Sequence, residues 1–105
     1  MAQELEEQPV DLGDEAQVKA RNKRVKLASR EHEEVLELLM SRPEGRRWMF
    51  AVLEQCHMYH STFDPNPTVM AFREGARNVG LQLLNAVTLA APEQYMLMLK
   101  ERANV

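Results

Sequence analysis

SRPEGRRWMFAVLEQCHMYHSTFDPNPTVMAFREGARNVGLQLLNAVTLAA, residues 41–91, is the stretch whose reading decides the fold. It holds the only Trp, all three Phe, the only Cys and three of the four Gly. Two helical patterns flank a loop with two prolines, Asp64-Pro65-Asn66-Pro67. Ser41 and Glu44 have the spacing of a capping box and Pro43 suits a first helical turn, which predicts a helix over 44–59. On that helix Met49, Val52, Leu53, Cys56 and Tyr59 share a face with Trp48 at its edge, while Arg46, Arg47, Glu54 and His57 are assigned elsewhere. Phe50 sits off the stripe and is assigned to a contact with the preceding helix. The prolines stiffen the loop, and Asn66 before Pro67 is a helix-start signal, so a further helix is predicted over 68–90.

Working outward, that helix presents Val69, Phe72, Ala76, Val79, Gly80, Leu83 and Val87 on one side. Gly75 and Gly80 each cost about 1 kcal/mol of helix propensity, and their spacing from Ala71 and Ala76 suggests close helix–helix packing at both. Leu81 and Leu84 widen the apolar surface beyond one stripe and leave room for a partner. Pro92 restarts a last helix carrying Tyr95, Met96, Met98 and Leu99. The predicted core is Trp48, Leu53, Cys56, Phe72, Val79 and Leu83.

Upstream, no Gly or Pro interrupts 14–40, and Asp14 is a plausible N-cap for one long helix. Val25, Ala28, Val35 and Leu39 repeat at helical spacing, with His32 on the stripe, but residues 15–24 offer only Val18 and alanines. The C-terminal half is therefore expected to dock on the core and the N-terminal half to project. Lys19, Lys23, Lys26 and Arg30 fall on one face of it, either a solvated charged face or a docking element. Residues 1–13 are acidic, contain Pro9 and Gly13, and read as a disordered tail. The expectation is an all-α protein, a small bundle of about four helices: tail 1–13, charged arm 14–40, compact domain 41–105.

Charge and composition narrow the function classes. The 105 residues carry 16 acids and 13 bases, a net −3 that does not mark a nucleic-acid binder. The distribution says more: residues 1–15 contain six acids and no base, and residues 19–30 six bases and no acid. A single Cys forms no internal disulfide, no apolar run approaches the roughly 20 residues of a membrane span, and the acidic start does not read as a signal peptide.

Cys56, His57, His60 and Asp64 are the cluster that most resembles chemistry, with Cys56 and His60 placed one helical turn apart. Zinc wants four ligands, and the next candidate, His32, is distant in sequence. Cys56 on an apolar face reads as a small buried hydrophobe rather than a nucleophile. There is no phosphate-binding Gly loop, paired-carboxylate motif or hydrolase elbow. No enzyme, catalytic residue, metal or cofactor is expected.

PEGRRWMFAVLEQC, the STFDPNP turn and VMAFREGARNVGLQLLNAV together resemble a family of small proteins of tailed bacteriophages, best known from short-tailed, podovirus-type phages. Its members share a P-x-G-R segment, an L-x-x-C helix, a Ser/Phe/Pro loop and an F-x-E-G-x-R-N-x-G-L helix. Here the last motif is Phe72, Glu74, Gly75, Arg77, Asn78, Gly80 and Leu81. Relatives often carry Gly after the cysteine, where this chain has His57. The resemblance covers about half the chain, implies no catalytic residues and carries no assigned function. Such proteins tend to be encoded with head and tail genes, which implies a virion or assembly component, made in the host cytoplasm and docked in several copies on the portal, tail or internal core. Glu74, Arg77 and Asn78 are candidates for a buried polar network or for the partner surface. The alternatives are a nucleic-acid-associated protein packaged with the genome, using the arm, and an inhibitor of a host enzyme, using the acidic tail.

Overall fold

The computed structural model describes residues 14–104. The predicted acidic tail, 1–13, lies outside the described residues. Four helices follow in order: α1 Glu15–Met40, α2 Pro43–Gln55, α3 Pro67–Ala90 and α4 Pro92–Ala103. Among the described residues there is no strand. The chain divides into two compact units, one ending at His32 and the other spanning Glu33–Val105.

The punctuation of the sequence sets the helix ends. Asp14 caps α1, its Oδ1 accepting from the backbone N–H of Ala16 at 2.9 Å and Gln17 at 3.3 Å. Pro43 stops α1 and occupies the first turn of α2, leaving only Ser41 and Arg42 between them. The expected capping box does not form. Arg42 is the N-cap with no side-chain cap bond, and the Ser41 hydroxyl instead donates back to the Leu38 carbonyl at 2.7 Å. Asn66 does cap α3, accepting from the N–H of Thr68 and Val69. A single residue, the buried Ala91, separates α3 from Pro92.

In the unit that begins at Glu33, Met40, Met49, Leu53, Val87, Ala91 and Met98 form the buried core. Leu36, Leu39, Phe50, Tyr59, Leu83 and Leu84 pack around it. Complete burial of Met49 and Leu53 contributes about 1.5–3 kcal/mol each, which makes α2 the central element.

Four predicted core residues are outside it: Cys56 is half-buried in the turn after α2, and three are exposed. Trp48 is 57 % exposed, Phe72 78 % and Val79 61 %. On α2 the inward stripe is Arg46–Met49–Leu53, one residue round from Trp48. On α3 the inward line passes through Ala76, Gly80, Leu83, Leu84 and Val87, so Phe72 and Val79 lie roughly 90° away. The apolar surface of α3 is wider than the bundle covers. Phe50 also differs from expectation: it stacks on Tyr59 at 5.1 Å and lies under the Arg102 guanidinium at 4.7 Å.

Candidate protein-interaction surfaces

The first local device is at the start of α2. Gly45 is buried against the last turn of α1, where an added Cβ would run into the Leu39 carbonyl group. That close approach carries the next residue, Arg46, inward until it is only 6 % exposed. Its guanidinium donates to the Met40 carbonyl at 3.0 Å and, in a two-pronged pair, to both carboxylate oxygens of Glu101 at 3.0 and 2.9 Å. One side chain thus ties the C-terminus of α1 and the end of α4 to α2. The hydrogen bonds from Arg46, with its charge adding to them, hold the Glu101 carboxyl below the usual carboxylate range. Sequence reading set Arg46 apart from the apolar face. The overlooked signal was its spacing of three and seven residues from Met49 and Leu53.

The second device is the turn after α2, which ends at Gln55, short of the predicted Tyr59. His57 has φ 59°, the sole non-glycine with positive φ among the described residues. Its N–H donates to the Glu54 carbonyl at 2.9 Å and that of Met58 to the Leu53 carbonyl at 3.1 Å, a Schellman closure. Gly is the usual residue at that position, where the family resemblance also placed one; here a His bears the left-handed backbone. The turn rests on α3 at Gly80, where an added Cβ would lie 2.6 Å from Cys56 Cβ and 2.7 Å from Met58 Sδ. Gly75, expected at a similar contact, has nothing within 4 Å of its missing Cβ, because it faces outward.

The polar residues of the α3 motif clamp the loop between α2 and α3. Arg77 donates to the His57 carbonyl at 2.9 Å, and the Thr62 hydroxyl donates to Glu74. Their neighbour Arg73 pairs with Asp64 at 3.4 Å and donates to the Phe63 carbonyl at 3.2 Å. Arg77 and Glu74 therefore each hold the loop rather than each other. Asn78 is exposed. Because α2 stops at Gln55, Cys56 and His60 are not a helical turn apart, and among the described residues no three His, Cys, Asp or Glu side chains gather as a metal site. Among them, too, no helix is long and apolar enough to cross a membrane.

What the geometry leaves uncovered is apolar. Between residues 33–40 and α2 a groove of about 560 Å³ is lined by Val35, Leu38, Leu39 and Trp48, with Arg42 and Glu44 paired at 3.2 Å on its rim. On α3, Phe72, Val79 and Leu89 lie exposed along one outer stripe with Gly75 between them. In the separate unit ending at His32, Lys19, Lys23, Lys26 and Arg30 are exposed on one face of the helix.

No curated protein and no solved structure matches this chain. A family model does match, over residues 36–100, which takes in the Gly45–Arg46 seat, the His57 turn, the clamped loop and α4 as far as Lys100. It is wider than the segments between residues 43 and 87 that carry the resemblance in sequence. The chain belongs to the family of Bbp19-like phage proteins.

Proposed function

We propose that this phage protein is a non-enzymatic structural or assembly component that works by docking on other phage proteins. The observation that carries the reading is the balance of its apolar side chains. Among the described residues six hydrophobic ones are buried, whereas twelve large ones are exposed, Trp48, Phe63, Phe72 and Leu38 among them. Scattered single apolar side chains are ordinary, but a groove walled by Val35, Leu38 and Trp48 and a stripe along α3 are contiguous surfaces of the kind that partners cover. The expected setting is the virion, near the portal, tail or internal core, reached by assembly in the host cytoplasm with several copies per particle. Lys19, Lys23, Lys26, Arg30 and Asn78 are the polar residues offered to a partner, while Glu74 and Arg77 serve the fold.

The test is a phage whose only copy of the gene carries Leu38→Asp and Trp48→Asp. Both side chains are exposed, so the protein folds and accumulates but is expected to be lost from particles. Retention at the wild-type level overturns the reading.

A second reading, association with packaged nucleic acid, is favoured by the exposed basic face alone. It requires affinity that falls steeply with salt and is indifferent to duplex sequence.

A further inference from the structure

We infer that the outer face of α3 is covered by the same face of a second copy of this chain, the two helices running antiparallel. The inference rests on the reading of the exposed apolar side chains as docking surfaces and names the partner of one of them.

Phe72, Gly75, Val79, Gln82, Ala86 and Leu89 follow one another at alternating steps of three and four residues. That strict step is the narrow seam one helix presents to another helix running alongside it. Here the seam is on the outside: Ala86 is half-buried and the other five are exposed. The inner line of Ala76, Gly80, Leu83 and Val87 serves the bundle. So α3 carries two seams, and its own chain covers one.

The make-up of the outer seam selects a second copy as its occupant. A two-fold contact sets a surface against itself, so a charge near the axis would meet its own like charge. In a chain of which 28 % is charged, neither the seam nor its open flank of Ala71, Asn78 and Asn85 bears a charge. The polar groups on that flank are carboxamides, each with donors and an acceptor, and so complementary to their own copies. Shape agrees with polarity in one register. With the axis level with residue 77, an antiparallel pair sets each Val79 on the partner's Gly75, where no atom stands within 4 Å of the missing Cβ. Phe72 then lies beside the partner's Gln82, Thr68 beside the partner's Ala86, and the two Asn78 amides face each other across the axis. The overlap from Thr68 to Ala86 is about 28 Å of helix. Contact over that length buries on the order of 1,000 Å² in total, the lower limit for a specific interface, so the dimer is a weak one, in the micromolar range. A different protein would be free to answer a charged face; only a self-contact requires this neutral one.

The experiment is sedimentation equilibrium of the full chain from sub-micromolar to near-millimolar concentration. The expected result is a monomer–dimer equilibrium in the micromolar range. Val79→Asp and Gly75→Leu change exposed positions, so circular dichroism should show the helices retained while association weakens by about tenfold or more. Asn78→Asp and Asn78→Lys each place like charges at the axis. Either alone should associate more weakly than wild type, and an equal mixture more tightly than either alone. A dimer indifferent to Val79→Asp and Gly75→Leu, or a mixture no tighter than its components, overturns the inference. So does a chain that stays monomeric at every concentration, which leaves the face to a different protein. That outcome does not touch the expected loss of the Leu38→Asp and Trp48→Asp protein from particles, so the two readings fail separately.

Discussion

Alanine at the three helical glycines should change stability in opposite directions, and the structure sets each magnitude. At Gly75 an added Cβ meets no atom, so Gly75→Ala recovers only helix propensity, about 0.8–1 kcal/mol of stabilisation. For a domain of this size that raises Tm by about 4–8 °C. At Gly80 the same gain is offset by a Cβ 2.6 Å from Cys56 Cβ and 2.7 Å from Met58 Sδ. Overpacking costs about 1–3 kcal/mol, so the net lies between no change and a loss of about 2 kcal/mol, and Gly80→Leu is worse. At Gly45 the obstruction is backbone, the Leu39 carbonyl, which cannot rotate away. The first turn of α2 has to withdraw from residues 33–40, and Arg46 then loses its bond to the Met40 carbonyl. Adding a lost charge-assisted bond of about 1.5–3 kcal/mol to the overpacking of about 1–3 kcal/mol and subtracting about 1 kcal/mol of recovered helix propensity gives a loss of about 1.5–5 kcal/mol, a large part of the stability of a small domain. The assay is urea unfolding of the three variants followed by circular dichroism. A stable Gly45→Ala protein, or a Gly75→Ala protein no more stable than wild type, would refute the packing described here.

The Arg46–Glu101 pair is unequally exposed, 8 % for the Arg46 side chain against 37 % for that of Glu101, so Glu101→Gln should destabilise by stranding a buried cation, more than Arg46→Met does. Because the folded state holds Glu101 below its unfolded pKa, its contribution is complete above the ordinary carboxylate range and lost as pH falls through the folded value. The Tm of wild type and Glu101→Gln should accordingly converge in acid; a gap that persists would remove Glu101 from the account. His57→Gly relieves a left-handed backbone at φ 59° and removes a buried Nδ1 that has no hydrogen-bond partner, so it should stabilise by about 1 kcal/mol or more in thermal unfolding. Arg77→Ala should lower Tm and increase proteolysis of the 56–66 loop, since it removes the bond to the His57 carbonyl. Single charge reversals at Lys19, Lys23 and Lys26 should each leave stability within about 0.5 kcal/mol while affecting docking in the particle.

The helices were legible because their ends are written in strong local chemistry. Asp14, Pro43, Asn66–Pro67 and Pro92 act within a few residues, independently of the rest of the molecule. Which face turns inward was less legible. Periodicity locates an apolar stripe but not its centre when the stripe is wide, and α3 is apolar over more of its circumference than the bundle covers. Phe72 and Val79 were therefore assigned to the core, though the close approach at Gly80 turns them outward. Trp48 was misplaced for a related reason: its size argues for burial, yet the stripe centred on Met49 and Leu53 leaves it on the groove. Of the two glycines read as packing sites, only Gly80 has neighbours, because a small residue reports freedom to approach and not an approach. Arg46 was missed because a charge is read as exposed unless its carboxylate can be named, and Glu101 lies 55 residues away. The family resemblance was carried by residues the structure puts to use: Gly45 and Arg46 in P-x-G-R, and Glu74, Arg77 and Gly80 in the α3 motif.

The claim at the centre of this account is that the exposed apolar surface exists to be covered in a phage particle. Counting copies of this chain against the major structural proteins, by isotope-standard mass spectrometry of purified virions and of their assembly intermediates, tests it most directly. The account predicts a fixed number of copies per particle in at least one of the two. Absence from both, in an infection where the protein is abundant, would contradict it.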